Sequence, residues 1–128
     1  MARNFQIRYL TAGRIVRLHF IGKAGLAERI QAAEQVAAKF GHLRELRLLV
    51  DTRFVETSLT PAEQRQFADF VRRHALLRRA KTAVLCNPGI TPVALIAQRL
   101  AKRGNNTRIF LVESAALQWL RSRRLPAQ

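Results

Sequence analysis

The sequence predicts an α/β fold: a five-stranded mixed sheet, mostly parallel with an antiparallel N-terminal edge strand, in the order β-β-α-β-α-β-α-β-α. Three observations carry the prediction. Between Phe5 and Ile21, apolar and polar residues alternate with period 2, the mark of half-buried strands. Farther on, the short runs Leu48-Leu49-Val50 and TAVLC, from Thr82 to Cys86, have the character of strands covered on both faces. Segments of helical spacing stand among them, two opened by Thr-Pro pairs. Strands alternating with helices in this way build a parallel sheet through right-handed crossovers.

The first strand runs from Phe5 to Leu10, with Phe5, Ile7 and Tyr9 on one face and Gln6 and Arg8 on the other. Thr11-Ala12-Gly13 allows only an antiparallel return, and Arg14 to Ile21 is the second strand, with Val16, Leu18 and Phe20 on one face. Gly22-Lys23-Ala24-Gly25 breaks the pattern. The stripe of Leu26, Ile30, Ala33, Ala37 and Phe40 then marks a helix, and Gly41 stands where a left-handed stop belongs. Leu43 to Val50 is the third strand, closed by Asp51 and followed by a polar loop of Thr52, Arg53, Glu56, Thr57 and Ser58. Thr60-Pro61-Ala62-Glu63 joins a capping box to a proline at the first helical position. Phe67, Phe70, Val71, His74 and Leu77 form the inward stripe of that helix. Lys81 to Cys86 is the fourth strand, Asn87-Pro88-Gly89 forces a turn, and Thr91-Pro92 starts a helix that faces Val93, Ile96, Ala97 and Leu100 to the core and ends at Gly104. Thr107 to Val112 is the fifth strand, and Ser114 caps a last helix with Leu117, Trp119, Leu120 and Leu125 as its apolar contacts.

A chain of 128 residues with 48% hydrophobic content supports one core, so residues 1–128 are expected to form a single domain. No apolar run approaches the roughly 18 residues that cross a bilayer, and Met1-Ala2-Arg3-Asn4 leads straight into a strand pattern, which implies a cytoplasmic protein. The lone Cys86 excludes an internal disulfide.

The net charge of +15, from 23 Lys and Arg against 8 Asp and Glu, favours nucleic acid, anionic membrane surfaces or acidic partners. The basic residues are spread along the chain as well as grouped. The densest group, Arg72, Arg73, Arg78 and Arg79, is the candidate anion-binding set; the competing reading is a solvated face.

In an open α/β sheet, ligands meet the protein just beyond the carboxyl ends of the strands. This selects Asp51, Thr52, Arg53, Phe54 and Ser58 after the third strand, with Asn87 and Pro88 after the fourth, as the candidate ligand- or partner-binding residues. Phe54, Val55 and Leu59 either form an apolar wall in this loop or pin it to the core.

Signs of catalysis are lacking. Cys86 sits at a strand end, but none of His19, His42 and His74 is placed to activate it, and the histidines share no metal-ligand spacing. Glu63 is accounted for by the capping box and Asp51 by a strand-end role. The glycines are isolated and form no phosphate-binding loop. The sequence thus points to no catalytic residue, no metal and no cofactor.

Gly13-Arg14-Ile15-Val16, Leu48-Leu49-Val50-Asp51, Lys81-Thr82-Ala83-Val84-Leu85, Arg108-Ile109-Phe110 and Gln118-Trp119-Leu120 follow the order and spacing of another group. The chain resembles the SpoIIAA-like branch of the STAS fold, which groups with CRAL-TRIO lipid-carrier domains. The resemblance implies a non-enzymatic regulatory module that binds a small apolar or amphipathic ligand or docks on a protein partner; separately, a homodimer is a further option. In STAS-type antagonists the third strand ends in aspartate, followed by a serine that a kinase phosphorylates and a glycine-containing helix start. Asp51 and Thr52 fill the first two places, which makes Thr52 the candidate phosphorylation site, but Arg53-Phe54-Val55 replaces the expected serine and glycine. The remaining alternative is a basic adaptor for nucleic acid or anionic membranes.

Overall fold

The computed structural model describes residues 4–56, 59–89 and 92–122. The elements are β1 (Phe5–Leu10), β2 (Ile15–Lys23), α1 (Leu26–Phe40), β3 (Arg47–Glu56), α2 (Pro61–Arg73), a 3-10 turn (Leu77–Arg79), β4 (Lys81–Leu85), α3 (Pro92–Lys102), β5 (Thr107–Phe110) and α4 (Glu113–Arg121). The five strands lie in sequence order, with β1 antiparallel to β2 and the others parallel. The predicted order and the antiparallel edge are both present.

Each parallel crossover steps one strand in the same direction. Crossovers of one hand that step the same way place their helices on the same face of the sheet. Accordingly α1, α2 and α3 share one face. There Val16, Leu18, Phe20 and Leu48 pack with Ala32, Ala33 and Val36 of α1, and Val84 and Cys86 pack with Ala97 of α3. The chain then turns back after β5, and among the described helices α4 alone covers the other face. Its Ala116 and Leu120 close on Ile15, Leu49, Ala83 and Leu85, all fully buried.

Local chemistry explains most boundaries. In the hairpin between β1 and β2, Gly13 has φ +85 and Arg14 φ +53, and a Cβ on Gly13 would lie 3.0 Å from the Arg121 side chain. Thr60 Oγ1 accepts the Glu63 amide at 3.1 Å, while Glu63 Oε1 accepts the Thr60 amide at 3.0 Å, so the predicted capping box is complete. The α3 helix ends in a Schellman arrangement: Gly104, at φ +89, donates to Ala101 O, and Asn105 donates to Leu100 O.

Several boundaries differ from expectation. Gly41 is right-handed, at φ −65, and ends α1 without a left-handed cap. Ser114 lies inside α4, which starts at Glu113 after Val112 and has no side-chain cap. Leu77 belongs to the separate 3-10 turn rather than to the stripe of α2, whose fully buried residues are Gln64 and Ala68. In α1 the buried stripe is Arg29, Ala32, Ala33 and Val36, rotated from the one that periodicity selects, and it includes a charge. The β2 strand runs on through Gly22 to Lys23 because β3 continues beside it. Thr91 and Leu125, assigned to a cap and to a core contact, lie outside the described residues.

Candidate functional site

The main departure from the sequence reading is β3. It does not end at Asp51: residues Thr52 to Glu56 continue the strand along β2 instead of forming a loop. His19 pairs with Asp51, yet Ile21 pairs with Phe54, so β3 carries one residue more than β2 over this interval. This is a β-bulge, which bends the strand and re-aims its side chains. Period 2 alone would send Phe54 to the face opposite Asp51. With the extra residue, Phe54 falls on the same face as Asp51 and Val55 returns to the helix-covered core.

Asp51 is fully buried at the centre of a charged cluster on the α4 face. Its Oδ2 lies 2.9 Å from Arg17 Nη2 and 2.9 Å from Arg53 Nη2, and its Oδ1 accepts both the Arg53 amide at 3.1 Å and Arg53 Nε at 3.0 Å. Glu113, at the start of α4, closes the cluster by accepting Arg17 Nη2 at 2.7 Å and Arg53 Nη2 at 3.4 Å. Two cations face two carboxylates, so the cluster is neutral overall. Burial raises the Asp51 pKa, but the hydrogen bonds from the Arg53 side chain and amide, with the attraction of Arg53 and His19, outweigh it and hold the carboxyl below its ordinary value. The hydrogen bond to Asp51 correspondingly raises the Arg53 pKa. Arg17 Nε and His19 Nε2 are buried beside Asp51 without a hydrogen-bond partner among the described residues.

Around this locked centre the surface turns apolar. Phe54 is 62% exposed, with its ring 5.8 Å from that of His19 and the Arg53 guanidinium 5.5 Å from its centroid. Ile21, its register partner, is 41% exposed, and Leu111 and Val112, just before Glu113, are exposed as well.

The other predicted residues take varied places. Thr52 is buried, and its hydroxyl donates to Leu85 O at 2.6 Å, tying β3 to the end of β4. Asn87 is exposed and donates through Nδ2 to Arg53 O at 2.8 Å, which brings the loop after β4 onto the bulge. Pro88 is exposed in the same loop. Ser58 lies outside the described residues. Cys86 is buried, and burial raises its pKa, partly offset by Thr52, so the thiol does not have the lowered pKa of an activated nucleophile. Among the described residues no three His, Cys, Asp or Glu side chains could together hold a metal ion, and no helix is long and apolar enough to cross a membrane.

Arg17 and Glu113 escaped the sequence reading, though one signal for Arg17 was present. It shares a strand face with Ile15, and a charge on a face that a helix covers calls for a partner. Glu113 carried no such signal, because its role depends on where α4 folds back.

The candidate anion-binding arginines divide between places. Arg72 lines a groove between α2 and α3 with Arg65, Arg99, Lys102 and Arg103, and pairs with Asp69 at 3.4 Å. Arg78 and Arg79 line a separate basin at the amino ends of the parallel strands. Arg73, at the exposed end of α2, lines neither.

A cavity of about 90 Å³ lies under the helical layer, walled by Leu18, Val36, Val50, Val84 and Ile96 among others. Arg29 forms part of its wall; it is 3% exposed, with its guanidinium 5.0 Å from the Phe20 ring centroid. Burial, partly offset by Glu28, lowers its pKa to about 10. None of the described residues predicted for the ligand site lines this cavity.

No protein-family model matches the chain, and no curated protein matches it. Among solved structures it is similar to an uncharacterized protein from the DUF3478 family of Shewanella loihica PV-4, described as having a SpoIIAA-like fold. The two chains share 15% identity, with a TM-score of 0.61 over 91% of each. The fold is SpoIIAA-like. At that identity the similarity speaks to architecture alone. In this SpoIIAA-like sheet the aspartate of β3 stands inside the strand, and the bulge that follows presents an arginine and a phenylalanine.

Proposed function

We propose that this protein is a non-enzymatic regulatory module that docks an acidic protein partner on the carboxyl end of its sheet, using Phe54 and Ile21 as apolar anchors. The observation that carries the reading is the exposure of Phe54, 62%, beside a fully buried carboxylate that fixes the strand beneath it. Aromatic side chains held on rigid elements lose little entropy on binding and are common anchors of interfaces. The bulge keeps Phe54 out of the core, and the Arg53 bonds to Asp51 hold the backbone that bears it. A net charge of +15 opposes pairing with a second copy and attracts an acidic surface, so the apolar patch suits a different chain of negative charge.

A photo-crosslinking residue placed at position 54 in cells tests this. The expected product joins the protein to an acidic partner that binds the purified wild-type chain and fails to bind the Phe54→Asp and Ile21→Asp variants. A crosslink mainly between two copies of this chain, or binding that survives both substitutions, would overturn the reading.

The cavity supports a second reading, a small-ligand carrier. At about 90 Å³ it is smaller than the roughly 150 Å³ cavity that takes up benzene, so its occupant would be a compact apolar group rather than a lipid chain. Native mass spectrometry of the protein purified from cells would reveal a retained ligand, and a clean apo mass would exclude a tightly held one.

A further inference from the structure

We infer that the basin at the amino end of the parallel sheet, opposite the Phe54 edge, binds the phosphodiester backbone of a nucleic acid without reading its sequence. β3 and β4 both begin with a cation, Arg47 and Lys81, and these two residues are direct register partners. Like charges placed side by side on neighbouring strands oppose folding. The segments that enter these strands add Arg44, Arg78 and Arg79, all lining one groove of about 750 Å³, and Arg14 from the β1–β2 hairpin lines the adjoining pocket with Arg44 and Arg47. Against these six cations the described residues that line the two pockets offer one carboxylate, Glu45, which lies 3.4 Å from Arg47 Nη2.

Part of the concentration has a structural reason. Lys81 Nζ donates to Trp119 O at 2.6 Å and to Ser122 O at 3.1 Å, satisfying carbonyls at the end of α4 where a cation is favoured. Arg47 donates to Gly13 O at 3.0 Å and so fixes the hairpin. Arg79 reaches Ala75 O at 3.0 Å through Nε. No such account covers Arg14, Arg44 and Arg78. All three are exposed, and their side chains make no hydrogen bond or ion pair among the described residues. Guanidinium groups standing free around a concave surface match the repeated oxygens of a phosphate backbone, which they bind in bidentate fashion.

The same basin argues against a membrane and against base readout. The large exposed apolar residues, Tyr9, Ile21, Phe54, Leu95, Leu111 and Val112, are all absent from its lining, so it has no anchor to insert among lipids. Among the described residues it also contains no aromatic side chain on which a base could stack. Binding should therefore rest on phosphate contacts alone and depend steeply on salt.

The test is a titration of a short fluorescein-labelled DNA duplex followed by anisotropy. With about four phosphate contacts, affinity should fall on the order of 100-fold between 50 and 200 mM salt. The triple variant Arg44→Glu/Arg78→Glu/Arg79→Glu should lose most of the low-salt affinity, with the magnitude of its salt slope reduced by about two to three. A control with the same charge change in the other groove, Arg65→Glu/Arg99→Glu/Arg103→Glu, should lose far less. If the triple variant does not fold, Arg44→Glu and Arg78→Glu singly should each reduce the slope magnitude by about one. Equal losses in the two triple variants, no duplex binding at 50 mM salt, or displacement of the duplex by an equal weight of phosphatidylglycerol vesicles would each overturn the assignment.

Discussion

Arg17 Nη2 lies 2.9 Å from Oδ2 of the fully buried Asp51, one strand away, and joins it to Glu113 on the helix that crosses above. Removing the carboxylate would leave Arg17 and Arg53 under α4 with Glu113 alone to balance two cations. Asp51→Asn is therefore expected to cost about 3–5 kcal/mol in urea unfolding, far more than an exposed ion pair would. The pH dependence follows from the lowered pKa. A carboxyl whose folded pKa is below its unfolded value contributes stability that is complete above the unfolded value, here 3.8, and is lost as pH falls through the folded one. Wild-type stability should thus drop below about pH 4 more steeply than that of Asp51→Asn.

The Thr52 hydroxyl is committed to Leu85 O, in a buried position. A phosphate there would have to break this bond and bring a dianion into the sheet. Incubation of the folded protein with serine/threonine kinases should leave Thr52 unmodified, whereas peptides spanning it remain open to reaction. Thr52→Val keeps the shape and removes the donor, with an expected loss of about 1–2 kcal/mol. Stoichiometric phosphorylation of the native protein at Thr52 would contradict this account.

Phe54 and Asp51 stand close together in sequence and differ sharply in what they support. Because Phe54 is mostly exposed, Phe54→Ala should change the stability of the isolated protein by no more than about 0.5 kcal/mol. A larger loss in thermal or urea unfolding would mean that the ring chiefly packs the bulge rather than serving a partner.

Arg29 gives the opposite pH behaviour to Asp51. Burial brings its guanidinium pKa down to about 10 in the fold, well below the ordinary arginine value, so the charged form costs stability at neutral pH and the cost is relieved as pH rises past about 10. Arg29→Met, which keeps much of the volume, should be no less stable than wild type at neutral pH, with its advantage shrinking above about pH 10. Urea midpoints across that range supply the check.

What the sequence made legible was the part governed by local rules. Alternation identified β1 and β2, the apolar runs located the centres of β3 and β4, and Thr60 with Glu63 marked the start of α2 because a capping box is complete within four residues. The short Thr11-Ala12-Gly13 turn then made the first strand an antiparallel edge. The far half of β3 was hidden for a physical reason: the bulge interrupts period 2 at the polar residues Thr52 and Arg53, so the stretch reads as loop. Asp51, Arg53, Phe54 and Asn87 do come together, but their organisation depends on Arg17 and Glu113, which are distant in the chain. The buried Arg29 was missed because hydrophobic periodicity gives a charged side chain no weight, although its apolar stem packs well.

The one-residue surplus in β3 also bears on how this chain tolerates insertions and deletions. Loss of Arg53 would shorten β3 by the residue that makes the bulge, restoring an even count against β2 between His19 and Ile21. Such a deletion removes a single codon's worth of surface, yet it takes away the three hydrogen bonds that Arg53 gives Asp51 and the kink that aims Phe54 outward. Lineages that gain or lose a residue at this point would keep the sheet and change what its edge displays.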